Sequence, residues 1–211
     1  MFKSLFAFLL IPAGLITAQE LKPISLPAPR MTGGKPLMEA LKARKSTREF
    51  APDKLSQQTL SNLLWAAWGV NREDGRRTAP SASDRQEIDV YVVMENGTFV
   101  YDAKGNALKP VASGDLRKAT GPQPFVTEAP LTLVYVADLA RYTGGDSANN
   151  AATSNTDAGF IAQNVYLFGA SEGLAVVVRG SVTKPETSTA LKLRPNQLVI
   201  LAQTVGYFKK P

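Results

Sequence analysis

The stretch DAGFIAQNVYLFGASE, residues 157–172, decides the fold together with the run LAVVV that follows it at residues 174–178. Ile161, Val165 and Phe168 recur at helical spacing in the first part. The second part is an uninterrupted apolar run, which is typical of a strand buried on both faces. We therefore predict a long helix over 157–172 and a buried strand directly after it.

Small residues are interleaved with the apolar ones of this helix. They are Ala158, Gly159, Ala162, Gly169 and Ala170. Because short side chains let another backbone approach closely, we expect the helix to be central in the fold.

Apolar strands and short helices alternate along the rest of the chain. The further predicted strands cover residues 88–94, 98–101, 131–137 and 198–207. Pro36 opens a short helix in which Leu37, Met38 and Leu41 are expected to point inward. Further helices are predicted from Ser56 to Gly69, over 113–120 and over 184–193, and loops over 71–86 and 143–156, the latter mobile. The pattern predicts an α+β fold, with a mixed and mainly antiparallel sheet flanked by helices.

The N-terminal 18 residues have the layout of a secretory signal peptide. Lys3 precedes the apolar run of residues 5–11, and Pro12, Gly14 and the small-residue exit at Thr17-Ala18 follow. The run is too short for a stable membrane anchor. We expect removal of residues 1–18 and a periplasmic or secreted protein, although a buried N-terminal helix is the alternative. Residues 19–35 then form a proline-rich extended arm, and residues 36–211 form one domain.

Composition excludes several kinds of chemistry. The 211 residues contain neither His nor Cys, so zinc, copper, haem and Ser-His-Asp or Cys-His centres are excluded, and no metal site is expected. The formal net charge of +6 comes from scattered cations without a nucleic-acid motif, which argues against a nucleic-acid partner. An enzyme of this composition needs an organic cofactor, or relies on carboxylates, Lys, Ser and Tyr.

The run Arg44-Lys45-Ser46-Thr47-Arg48 places three cations and two hydroxyl groups in five residues. Arg is suited to phosphate because its planar fork forms two parallel hydrogen bonds. Cations at the end of a helix are also favourable to the helix dipole and need no ligand. By itself the run leaves both interpretations open.

This run resembles the opening segment of the FMN-dependent nitroreductases, and other segments follow in that family's order. They are residues 78–83 with Gln86, residues 157–164, residues 173–180, and residues 202–207 with Lys209-Lys210. The resemblance covers residues 36–211 and is nearest to the thiazoline-oxidase-like branch, whose dehydrogenases oxidise azoline rings in peptide tailoring. It implies a homodimer that binds FMN at the subunit interface, with helix 157–172 at the two-fold contact.

The resemblance also assigns candidate flavin-binding residues. Arg44, Lys45, Ser46 and Arg48 would hold the phosphate and ribityl chain, joined by Lys209 or Lys210. Pro80, Ser81, Ala82 and Ser83 would border the ring, from the partner subunit. Gln163 lies in the matching helix segment but could equally be a buried structural amide. Gly180 would present its backbone N–H near flavin N5, and no side chain is assigned as catalytic.

The chain departs from the family pattern at Arg179, where the family has an acid before the glycine. A cation near the ring would favour reduced, anionic flavin. The reaction implied is a ping-pong two-electron transfer from a small-molecule donor to an acceptor. Because nicotinamide donors are scarce outside the cytoplasm, two alternatives stay open. They are a peptide or small-molecule dehydrogenase that reduces oxygen or a quinone, and a flavin- or anion-binding module without turnover.

Overall fold

The computed structural model describes residues 20–210, and the predicted signal segment therefore lies outside the described residues. The helices are α1 (Leu37–Ala43), α2 (Gln57–Trp68), α3 (Phe125–Glu128), α4 (Ser147–Glu172) and α5 (Lys184–Ala190). The strands are β1 (Ile24–Ser25), β2 (Phe50–Ala51), β3 (Ile88–Met94), β4 (Gly97–Asp102), β5 (Ala107–Ser113), β6 (Leu131–Asp138), β7 (Leu174–Arg179) and β8 (Gln197–Phe208).

The strands form one sheet in the order β1-β5-β4-β3-β6-β8. β7 pairs with β8 as well, and β2 pairs with the last residues of β8. Every pairing between these strands is antiparallel. The predicted α+β fold with a mainly antiparallel sheet is confirmed.

Apolar residues cover both faces of the central strands. Val92 and Leu133 pack toward α2 and α4, whereas Val93 and Val134 pack on the opposite face with Leu191, which follows α5. Each of these five side chains is at most 2 % exposed. This two-sided burial explains why β3 and β6 are apolar almost throughout, as the sequence predicts.

Helix α4 begins ten residues before its predicted start, so the prediction of a mobile loop over 143–156 is wrong for residues 147–156. Asp146 caps the helix by accepting a hydrogen bond from the backbone N–H of Asn149 at 3.2 Å. The Tyr142 hydroxyl fixes the first turns, with Asn150 O and Ser154 Oγ each 3.0 Å away. Polar composition suggested a loop, but capping and a tertiary contact stabilise a helix here.

The prediction that the apolar side chains of α1 point into the core is also wrong for the single chain. Leu37, Met38 and Leu41 are 62 %, 75 % and 44 % exposed, and only Ala40 of this helix is buried. The small residues of α4 do allow a close approach, and at Gly169 the approaching element is strand β7 of the same chain. A Cβ on Gly169 would lie 2.4 Å from Val176 Cγ2 of β7.

The N-terminal arm is extended, as expected, and is fixed to the domain. β1 pairs with β5, and the Leu26 side chain is buried. Ser61 of α2 donates to Pro27 O at 2.5 Å, and Ser171 Oγ accepts from Lys35 N at 2.7 Å. The predicted helix over 113–120 is a 3-10 turn, Arg117–Thr120, after the end of β5. Within residues 20–210, no helix is long and apolar enough to cross a membrane.

Candidate functional site

The segment Arg44–Arg48 lies along the edge of β7 that is not paired with another strand. Arg44 ends α1, and its N–H donates to Ala40 O at 2.9 Å. Thr47 N then donates to Val176 O at 2.9 Å. The segment therefore supplies a hydrogen-bond donor to one backbone carbonyl of the open strand edge. The same hydrogen bond fixes the backbone of the segment on the sheet.

Tyr166 of α4 links this segment to the strand. Its hydroxyl lies 2.8 Å from Ser46 Oγ and accepts a hydrogen bond from Val178 N, also at 2.8 Å. A tyrosine hydroxyl that accepts from a backbone N–H keeps its own proton to donate to Ser46. When Tyr166 is the donor, the Ser46 proton is available for an anion outside the chain. Sequence reasoning missed Tyr166, because its spacing in α4 is also that of a core residue.

The cations of the segment have aromatic rather than acidic neighbours. The Arg44 guanidinium lies 5.2 Å from the centroid of the Tyr166 ring, and Lys45 Nζ lies 5.6 Å from that of Phe208. None of the ion pairs found within residues 20–210 involves Arg44, Lys45 or Arg48. Positive charge thus accumulates beside the Ser46 hydroxyl, which favours a bound anion.

The C-terminal lysines come close to this segment through strand pairing. Phe50 pairs with Phe208 in an antiparallel register, so the two chains continue past this pair with Arg48 and Lys210 on the same side of it. Lys209 and Lys210 are exposed and line a mainly apolar recess of about 940 Å³ with Phe50, Tyr207 and Phe208. The end of β8 therefore lies beside the cationic segment, where Lys45 contacts Phe208, and the two C-terminal lysines follow that residue.

Gly180 comes directly after β7 in the sequence and lies at the same open edge of that strand. The outward backbone groups of β7 belong to alternate residues, Val176 with its O and Val178 with its N–H. This alternation continues to Gly180, whose N–H faces the edge where Tyr166 and Ser46 lie. Gly180 is exposed, and a Cβ added to it would meet nothing within 4 Å. There is therefore room for a ligand against this backbone.

Arg179 points to the face of β7 that is turned away from α4, where Ala175, Val177 and Phe125 lie. The hypothesis of a cation near the flavin ring is therefore not supported by its position. It is 5 % exposed and donates to Thr120 O at 3.0 Å and Gln123 Oε1 at 2.9 Å. Its guanidinium lies 6.0 Å from the Phe125 ring centroid. Burial lowers the pKa of Arg179 to about 10, which still leaves it charged at neutral pH. Its contacts assign it to the packing of the 3-10 turn Arg117–Thr120 on the sheet.

The loop Pro80–Ser83 lies against the middle of α4. Ala82 N donates to Asp157 Oδ2 at 2.9 Å, and Ser81 Oγ accepts from Gln86 N at 3.0 Å. Pro80 and Ser83 are exposed. Asp157 and Tyr166 are nine residues apart on α4, which corresponds to about 13 Å along the helix. Within one chain, the predicted ring-side loop and the predicted phosphate segment are therefore separate.

Gln163 is exposed on α4, on the same surface as Phe160, which is 45 % exposed. The alternative of a buried structural amide is therefore wrong. The residues that the structure describes contain no group of three or more Asp and Glu residues that could hold a metal ion.

The fold and this site define a class of protein, the α+β flavin-dependent oxidoreductases. Residues 41–207 match the model of the nitroreductase family, and the chain belongs to that family. A nitroreductase homologue of Methanocaldococcus jannaschii is 29 % identical over 175 residues, which are 78 % of this chain and 88 % of the homologue.

Solved structures agree with this assignment. A nitroreductase homologue from Ralstonia eutropha JMP134 superposes with a TM-score of 0.85 at 43 % identity, over 90 % of each chain. A chain of the microcin synthetase McbBCD complex of E. coli shares the fold (TM-score 0.69, 17 % identity, 98 % of this chain and 85 % of that one). So does the NADPH:FMN oxidoreductase of Vibrio harveyi (TM-score 0.64, 21 % identity, 82 % and 69 %). At 17 % and 21 % identity, these last two likenesses show the shared fold.

Proposed function

We propose that this protein is an exported FMN-dependent oxidoreductase that acts as a homodimer by ping-pong two-electron transfer. Membership of the nitroreductase family supports the reaction class. The observation that carries the choice of cofactor is the contact of Ser46 with the Tyr166 hydroxyl, in a segment whose Arg44 lies over the Tyr166 ring and whose cations take part in none of the ion pairs of the described residues. FMN has one terminal phosphate, which such a site can bind.

The residues of the segment Arg44–Arg48 are suited to binding the FMN phosphate. Arg44 and Arg48 supply charge-assisted donors, and Ser46 supplies a hydroxyl whose proton Tyr166 leaves available. Lys210 or Lys209 adds a cation from the end of β8. Because Thr47 is held on Val176, these groups do not need to be ordered when the ligand binds, which favours affinity.

At the end of the site proposed for the flavin ring, this chain offers a backbone N–H group rather than side chains. When bound, FMN supplies the two-electron chemistry at its N5 atom. Gly180 offers an N–H at the open edge of β7, in a position where a side chain is absent. The absence of His and Cys from the sequence is compatible with this division of labour, because the chain has only to bind and orient the cofactor.

The exposed apolar face of α1 supports a homodimer. Leu37, Met38 and Leu41 are exposed, and Leu37 lines a groove of about 790 Å³ between the N-terminal arm, α1, α2 and α4. Phe160 adds a further exposed ring on α4. Apolar side chains of this size on adjacent helices favour burial against a second copy. In that dimer the ring-side loop Pro80–Ser83 of one subunit would complete the phosphate site of the other.

Export determines which donor is available. The proposal of a signal peptide rests on residues 1–18, and it favours a donor other than NAD(P)H. The fold shared with a chain of the microcin synthetase complex supports a second candidate, a dehydrogenase or oxidase of a peptide or small molecule that passes electrons to oxygen or a quinone.

The absorption spectrum of the protein purified from its native compartment tests the proposal. We expect flavin bands, release of FMN rather than a dinucleotide on denaturation, and bleaching of the bands by a donor without oxygen. An absence of flavin that persists after incubation with FMN would contradict the cofactor assignment. Flavin bands that no donor bleaches would indicate the binding module without turnover.

A further inference from the structure

Two buried carboxyl groups lie directly behind the Pro80–Ser83 loop. Glu87 is completely buried at the start of β3, and Asp157 is 3 % exposed on α4. Asp157 Oδ2 accepts the Ala82 N–H at 2.9 Å and so holds the loop from behind. Neither residue has an Arg or Lys partner among the ion pairs of the described residues.

The surroundings of Glu87 favour its neutral form. Its Oε2 atom is buried and has no hydrogen-bond partner among the described residues, and the Tyr142 hydroxyl lies 3.4 Å from Oε1. A carboxylate is an acceptor only, whereas a carboxylic acid can donate. Protonation therefore gives Glu87 a proton to share with the Asp157 carboxylate, and it removes a buried charge. Burial raises the pKa of Glu87, and the charge of Asp157 raises it further.

The loop that these groups support is conformationally unfavourable by itself. Ser83, Asp84 and Gln86 have φ angles of 55°, 51° and 52°, in the left-handed region that non-glycine residues rarely adopt. Three such residues within four positions need external contacts to keep their conformation. The Asp157–Ala82 hydrogen bond is one of these contacts, and it ties the loop to the longest helix.

We propose that Glu87 and Asp157 act as a positioning pair in which the neutral Glu87 side chain donates a hydrogen bond to Asp157, and that this hydrogen bond holds residues 81–86 in place. Loss of the proton puts two negative charges side by side in the core. Their repulsion displaces Asp157 from Ala82 and loosens the loop. Because the loop borders the flavin ring only in the proposed function above, a consequence for flavin binding rests on that proposal.

The other groups that face the pair do not neutralise it. Tyr142 and Ser154 face Glu87 with hydroxyl groups, which carry no positive charge. Arg85, on the loop itself, lies over the Tyr142 ring with its guanidinium 4.8 Å from the ring centroid. The proton on the pair is therefore the main compensation for the second carboxylate.

Hydrogen–deuterium exchange of residues 81–86 in the flavin-free protein tests the pair directly. After correction for the intrinsic pH dependence of exchange, we expect the protection of these amides to fall as the pH rises from about 5 to about 9, by at least about fivefold. Glu87→Gln should remove this dependence. Asp157→Asn, which keeps an acceptor for Ala82, should remove it too and serves if Glu87→Gln does not fold. Glu95→Gln, at an exposed residue after β3, is the matched control and should keep it.

Protection that does not change with pH in the parent, or an unchanged pH dependence in both variants, would overturn the proposal. Titration of FMN at the same pH values separates it from the proposed function. We expect the FMN dissociation constant of the parent to rise with pH in parallel with the loss of protection, and that of Glu87→Gln to stay flat. If the protection of residues 81–86 depends on pH but the affinity for FMN does not, the Glu87–Asp157 pair is supported. The assignment of this loop to the flavin ring is then contradicted.

Discussion

The Tyr166 hydroxyl and Ser46 Oγ lie 2.8 Å apart, although 120 residues separate them in the sequence. The same hydroxyl accepts the backbone N–H of Val178. One side chain of α4 thus joins the cationic segment to the edge of the sheet. This arrangement makes the position of Ser46 depend on α4, which the sequence of the segment alone does not reveal.

We predict that Tyr166→Phe weakens FMN binding about five- to tenfold, because Ser46 loses the partner that orients it and a net hydrogen bond contributes about 1 kcal/mol. Stability should fall by about 1–3 kcal/mol because Val178 N–H loses its acceptor. FMN fluorescence titration and chemical denaturation measure the two effects. Tyr135→Phe is the control, since its hydroxyl donates to Gln203 within the core. It should lower stability only, and an equal loss of FMN affinity in both variants would contradict the prediction.

Removal of either arginine should weaken FMN binding more strongly. Arg44→Ala or Arg48→Ala each removes a charge-assisted contact worth about 1.5–3 kcal/mol, or about ten- to a hundredfold in affinity. Lys104→Ala removes the same charge from the turn between β4 and β5, away from the β7 edge, and should leave affinity unchanged. Unchanged FMN affinity in both arginine variants would remove the phosphate site from this segment.

Local patterns predicted much of the fold, and they marked the segment Arg44–Arg48 as a candidate phosphate site. Two-sided apolar runs identified β3 and β6, and Ser56 with Gly69 marked the ends of α2. The orientation of Arg179 could not be predicted, because the alternation of β7 does not say which face meets the helices. Leu37 and Met38 were assigned inward because apolar periodicity cannot distinguish a core from an interface. Glu87 gave no signal, since its partner Asp157 is distant in sequence.

The raised pKa of Glu87 predicts a pH dependence of stability. Its pKa in the folded state exceeds the ordinary value of 4.5, with burial as the main cause. The contribution to stability is therefore complete below that ordinary value and is lost as the pH rises through the folded-state pKa. Denaturation at several pH values should show that the stability of the parent relative to Glu87→Gln declines with rising pH. A difference that grows with pH would contradict this sign.

The N terminus of the mature protein tests export. We predict cleavage near Ala18, so that the exported form begins at about Gln19. Intact-mass spectrometry of protein from the periplasm or medium measures this directly. Replacement of Leu9 and Leu10 by charged residues should retain the full-length chain in the cytoplasm. A mature cytoplasmic protein that keeps Met1 would contradict export and would restore NAD(P)H as the expected donor.

Dimerisation and flavin binding should be linked, because the two halves of the proposed site are separate within one chain. Ala162 is not the place for a test, since it is 4 % exposed and its O accepts from Gln203 in the same chain. Met38→Asp and Phe160→Asp instead place a charge on exposed apolar positions, which should separate the subunits without disturbing the core. We expect folded monomers by light scattering, with FMN affinity reduced at least about tenfold because each monomer keeps half a site. Lys104→Asp, at an exposed position in the turn between β4 and β5 and outside the groove between α1, α2 and α4, controls for charge alone. A folded monomer that binds FMN as tightly as the parent would mean that one chain holds the whole flavin site.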